Sequence, residues 1–440
     1  MSPRGVAALL GVALSSVAGA QDRERCVFPN TPNTRMTNTK LPSGQYNTFV
    51  GLGVAGRCPA KDITLRADSM ESYGDNGRIF LVGNVDYKEP RLALTSLHLT
   101  YHQLTERIVA SYNVVARLPS GSTLRGEYVD YYRAIPESRP SHIMANQRPT
   151  ITIVQKDSAG TTNDTLLVLA NVVNMFGDSL VYASGNVVMT RSDVEARGDS
   201  VMIDSDKELM VLMRGPSISG RKDRPFTLTG ERIEMTTSNR KLSRVVALGK
   251  GKAVSEDMTL ASDTIDLRIA NDLLDRAIAW GPSRARASSA TQQIVADSID
   301  VTMPGQRVRE MHAVRSAAAE GQPDTTKFKA DTVDWLRGDT IVARFDTAVA
   351  KDSSRQAQIR ELLARGEARS YYHMTPSDTT IRKAAINYVR GRQIVVAFKQ
   401  RRASQVTVLD KASGVYVEPK PEPKPAPKPA AAAAAPKPPR

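Results

Sequence analysis

Only two cysteines occur in 440 residues, too few for a disulfide-stapled scaffold or a four-cysteine zinc site. Aromatic residues make up 5%, thin for an outer-membrane barrel with its two aromatic girdles. Beyond residue 20 no stretch reaches the roughly 18 apolar residues of a membrane-spanning helix. Histidine is scarce too: His98, His102, His142, His312 and His373 are scattered, and no HExxH, GxSxG or P-loop pattern accompanies them. No catalytic residue, metal or cofactor is therefore expected. Basic residues and aromatics do not cluster along the chain, so nucleic acid is not an expected partner.

What is present describes a chain that folds. Hydrophobic residues at 41% and charged residues at 24% are enough to build a core. A formal net charge of +14 favours anionic partners. Arg4, the apolar run Val6 to Val17 and the small residues Ala18-Gly19-Ala20 form the pattern of a secretory signal peptide over 1–20. Export would place Cys26 and Cys58 in an oxidising space. There a disulfide would close the Pro/Asn/Thr/Gly segment between them, two buried free thiols being the alternative.

The body of the chain repeats a phrase. Leu260-Ala261-Ser262-Asp263-Thr264-Ile265-Asp266-Leu267 matches Ile294-Val295-Ala296-Asp297-Ser298-Ile299-Asp300-Val301, and Phe328 to Trp335 follows the same rule. An apolar residue, a small residue and an acid are followed by apolar residues two and four places on. From Glu127 the marker recurs at 171, 199, 231, 263, 297 and 331, the near-constant step of a stacked repeat array. Each unit has a second half with a glycine inside strand-like sequence, as at Gly249, Gly281 and Gly366. Such glycines mark a bulge or a bend.

Apolar alternation makes both halves strands. Its phase flips at the acid, so a corner sits near each Asp-Ser/Thr pair. The expected fold class is all-β: bent antiparallel strands in a meander, enclosing either an apolar trough or a filled core. One helix is expected near Gln356 to Arg365. A ladder of acids repeated down the array suits corners rather than a glycosidase pair, which must converge on one bond.

The phrases Ala67-Asp68-Ser69, Leu81-Val82-Gly83-Asn84-Val85, Tyr112-Asn113-Val114 and Ala183-Ser184-Gly185-Asn186-Val187 resemble the organic-solvent-tolerance, or OstA-like, family. Its members are the periplasmic bridge proteins of lipopolysaccharide transport. The resemblance spans about residues 61 to 400. It implies a V-shaped β-jellyroll, here one extended trough or two stacked jellyrolls. An apolar interior would carry lipopolysaccharide or a related acylated glycolipid, and domains would stack end to end with other OstA-like components. Under it the chain is a non-enzymatic lipid carrier of the periplasm, associated with the outer membrane. The alternative is a structural or adhesive envelope repeat protein without a lipid.

The chain departs from the family in its length and in a Pro/Lys/Ala tail in place of a terminal barrel strand. The expected organisation is a signal peptide at 1–20, a disulfide-closed irregular lead-in at 21–60 and a first β segment at 61–134. A linker at 135–150, a second β segment at 151–415 and a disordered tail at 416–440 complete it. The tail would reach peptidoglycan or an acidic partner. Candidate groove residues are the pairs after each acid: Ile233 and Met235, Ile265 and Leu267, Ile299 and Val301, Val333 and Trp335. Plain core packing is the alternative for all eight.

Overall fold

A computed structural model describes residues 26–29, 34–156, 162–192, 194–220, 225–238, 241–255, 258–271, 273–323, 325, 328–346, 358–377, 381–399 and 402–420. Among them the fold is all-β and antiparallel, with only two short 3-10 turns. It forms two compact units, divided between Pro119 and Ser120. The predicted signal peptide and most of the tail lie outside the described residues.

Each rung of either unit is a strand creased into two arms, or two short strands meeting at a crease. Strand Lys241–Ser255 shows why. One arm pairs with Arg232–Ser238 and the other with Phe226–Thr229, and the register slips between Leu248 and Gly251. The slip recurs in Thr259–Ala270 between Ala261 and Thr264, and in Gln292–Thr302 between Val295 and Ser298. Because side chains alternate with period two, a slip of odd phase swaps faces. Leu260 on one arm and Ile265 and Leu267 on the other therefore all turn inward, and all are buried. The predicted corners at Asp263 and Asp297 are present.

The acid and the glycine belong to one device. Asp68, Asn171 and Glu231 each donate a backbone N–H at 2.9 Å to the carbonyl of a glycine on the next rung: Gly83, Gly185 and Gly249. Their side chains lie where a Cβ on that glycine would stand, as do those of Asp263 at Gly281 and Asp339 at Gly366. A larger residue at the crease would have to expel the neighbouring rung's acid.

Four expectations need correction. The lead-in at 21–60 is not irregular, since Arg35–Lys40, Tyr46–Gly51 and Val54–Cys58 are strands. The last two pair with Ser69–Tyr73 and Ile63–Ala67 as a further creased rung. The linker at 135–150 contains strand His142–Asn146, held between Thr123–Tyr132 and Val172–Phe176, and the division between units falls before it. The helix near 356–365 is instead the start of strand Ile359–Met374. Finally, strand Ser413–Val417 runs past residue 415. In each case pairing with a ready sheet edge overrides a local sequence poor in strand signal. Cys26 and Cys58 are disulfide-bonded with Cα atoms 4.1 Å apart.

The crease predicts a graded response to substitution. Gly366 has φ +75° and a Cβ there would lie 2.8 Å from Cβ of Asp339, whereas Gly177, φ +59°, has nothing within 4 Å. Gly177→Ala should cost about 1–2 kcal/mol from backbone strain alone. Gly366→Ala should cost about 1–3 kcal/mol more from overpacking. Urea unfolding of both variants measures the difference; equal losses would show that the crease tolerates a side chain.

Candidate functional site

The inward faces of the two arms in the second unit form the candidate site. Of the predicted lining residues, Ile233, Ile265, Ile299 and Val301 have no exposed surface, while Leu267 and Met235 retain 2% and 3%. The structure brings these six together on the inward face of successive rungs, where the chain's own side chains cover them.

Val333 and Trp335 do not join them. Both are only partly buried, and Trp335 packs instead beneath the guanidinium of Arg337, 4.6 Å from its ring. Asp331 imitates the marker, but the acid at the crease is Asp339, because the register slips between Arg337 and Thr340. The phrase Leu336-Arg337-Gly338-Asp339-Thr340-Ile341-Val342-Ala343 is the true copy, and its Leu336, Ile341 and Ala343 are buried. Residues before it are held otherwise: Lys329 donates to the carbonyl of Arg382, and Ala384 donates to that of Lys329.

Where the arms part, the interior opens. An apolar cleft of about 80 Å³ lies between Phe226, Met258 and Leu260 on one side and Leu267, Leu274 and Met303 on the other. Only Leu267 among the cleft residues was legible as a candidate. Leu260 opens a repeat phrase, and Phe226, Met258, Leu274 and Met303 sit at or beyond rung ends, where repeat phrases fade. Leu260 and Leu267 flank one crease, so the phase change that folds the strand also sets both walls of the cleft.

Polar groups gather elsewhere. On the outward face Asp266, with 1% of its side chain exposed, accepts two hydrogen bonds of 2.9 Å from Arg244 and more from Arg268 at 3.0–3.2 Å. Burial pushes its carboxyl up, but the two guanidinium groups outweigh that and hold it below the usual Asp range. At the start of strand Asp334–Phe345, Asp334 Oδ1 accepts from the backbone N–H and from Nδ1 of His373, both at 2.8 Å. Thr332 Oγ1 lies 3.4 Å from Nε2 of the same ring. The order is that of a hydrolase triad; Phe328 stacks on the imidazole, and 4% of the His373 side chain is exposed. These contacts clasp the segment before the strand. Among the described residues no group of three His, Cys, Asp or Glu is disposed to hold a metal.

The Asp266 network makes a pH-dependent prediction. A depressed folded pKa gives stability that is present above the unfolded value of about 3.9 and lost as pH falls through the folded one. Arg244→Gln should therefore destabilise by about 1–3 kcal/mol at pH 7. That loss should shrink on acidification, once Asp266 is protonated. Urea titrations from pH 7 down to the onset of acid unfolding test this; a loss independent of pH would mean that Arg244 contributes packing alone.

No protein-family model matches the chain, and no curated protein matches it.

Proposed function

We propose that the chain is a non-enzymatic lipid carrier of OstA-like type. It would act in the periplasm, in association with the outer membrane, as a bridge component carrying lipopolysaccharide or a related acylated glycolipid. The observation that carries this reading is the apolar cleft between the arms, continuous with a row of inward apolar side chains from rung to rung. Burying one methylene gains about 0.8 kcal/mol, so a dozen would gain on the order of 10 kcal/mol. That suffices to hold an acyl chain without a catalytic group, and cargo would slide passively between equivalent rungs.

The cleft sets a condition. Its 80 Å³ is below the roughly 150 Å³ at which an apolar cavity admits benzene. An acyl chain must therefore take the place of contacts between the arms. The arms are free to part because the crease, not a further sheet, joins them. End-to-end stacking finds support in the last strands, Arg402–Leu409 and Ser413–Val417. Among the described residues each pairs on one side only, with Ala385–Lys399, and they expose Leu409, Val415, Tyr416 and Val417. The near-complete burial of the six inward residues favours the second reading, an envelope scaffold with a filled core.

Photo-crosslinkers at Phe226 and Met303 separate the two. In cells the carrier should yield acylated glycolipid adducts at both cleft positions and none at outward-facing Trp280. Native mass spectrometry of protein from its own envelope should show the same lipid bound. A bare chain with no adduct at the cleft would establish the scaffold.

A further inference from the structure

Two rows of three arginines run across strands of the second unit, and they are treated in opposite ways. Arg244, Arg268 and Arg276 stand directly opposite one another on successive strands. The next row on the same face holds Asp266 and Asp300. Arg244 and Arg268 bond to the first and Arg276 to the second, so that row is neutralised from within.

Arg337, Arg369 and Arg390 form the second row, again directly opposite one another on Asp334–Phe345, Ile359–Met374 and Ala385–Lys399. All three are exposed. Here the next row on the same face is Trp335, Tyr371 and Tyr388, and its carboxylate, Glu320, lies one strand beyond the arginines, opposite Trp335. Arg337 lies over the Trp335 ring, and Arg390 Nε donates to Ser413 Oγ at 2.7 Å. Among the described residues these arginines make one ion pair, between Arg369 and Glu367, 3.5 Å apart, with the carboxylate 85% exposed; such a pair is worth little. Glu320, opposite Trp335, makes no ion pair among the described residues. Like charges directly opposite across strands destabilise a sheet, so this row has a charge deficit that an external anion would fill.

We infer that this outer face binds an acidic polysaccharide, a chain bearing a carboxylate or phosphate on successive sugars. The guanidinium forks repeat at the strand spacing of about 4.8 Å, in a line rather than a field. That suits a linear polyanion of comparable repeat, its sugar bodies resting along the aromatic row. A strip of three arginines is narrow for a membrane surface. The site lies on the outward face, away from the cleft, and does not depend on the lipid reading.

The test uses the full chain and soluble oligogalacturonate, followed by calorimetry and by the fluorescence of Trp335 in a Trp280→Phe background. The acidic oligomer should bind and its neutral galactose counterpart should not. Arg337→Gln/Arg369→Gln/Arg390→Gln should weaken binding about tenfold or more. The charge-matched control Arg66→Gln/Arg91→Gln/Arg125→Gln should leave it unchanged. Urea unfolding confirms that both triple variants fold. Equal weakening by the two would reduce the effect to net charge and overturn the site. So would tighter binding of duplex DNA, or of anionic phosphatidylglycerol vesicles, lost in the same triple variant.

Discussion

The crease is the constraint from which the rest follows. An acid or amide at the bend of one rung fills the space that a side chain would occupy on the next, so the next rung must bend there too, most often at a glycine. The backbone bond from Asp68 to Gly83, from Asn171 to Gly185 and from Glu231 to Gly249 ties the two bends together. At the acid the bend shifts the phase by one residue, and this turns Leu260 on one arm and Ile265 and Leu267 on the other to one side. Without the phase change, Leu260 would face solvent while Ile265 and Leu267 faced the core. Folding, inward orientation and the walls of the cleft are thus one event, repeated rung by rung.

Glycine is one solution to the bend, not a requirement. Opposite Asp297 the bend falls at Arg315 and Ser316, both with positive φ, and in the first unit Tyr112 and Asn113 do the same. At Asp199 the partner is Arg214, whose guanidinium returns to the carboxylate at 3.2 Å. Backbone strain of this kind costs about 1–3 kcal/mol per residue. It is tolerated because the long ladders on either side fix the geometry.

All-β class, creases and inward faces were legible because they rest on local patterns: a phase flip, an acid, a glycine. Reading failed where locality failed. Asp331 has the right neighbours but pairs with no bend, and only the register with Ile359–Met374 identifies Asp339 as the marker. Residues 35–58 are rich in Thr, Asn and Gly and look irregular alone; the waiting edge at 63–73 makes them a rung. The segment near 356–365 has helical spacing, but Leu362 and Ala364 face the interior of a sheet that already exists. Most cleft residues escaped because they belong to rung ends drawn from several repeats. The basic–aromatic face escaped for the same reason: Arg337, Arg369 and Arg390 are far apart in sequence and adjacent only across strands.

That last point bears on how a repeat array acquires function. The two arginine rows have the same spacing and the same cross-strand geometry. They differ in the adjoining row, where Asp266 and Asp300 bond to the guanidinium groups in one case and Trp335, Tyr371 and Tyr388 stand beside them in the other. With carboxylates alongside, the charges close on themselves, and Asp266 can be buried at 1% exposure because two guanidinium groups replace its water. With aromatics alongside, the guanidinium groups are supported without being neutralised, since a ring face attracts a cation but carries no net charge. Changing one row of side chains therefore converts a structural ladder into an outward-facing basic strip. The crease, and the apolar interior that it shapes, are left untouched.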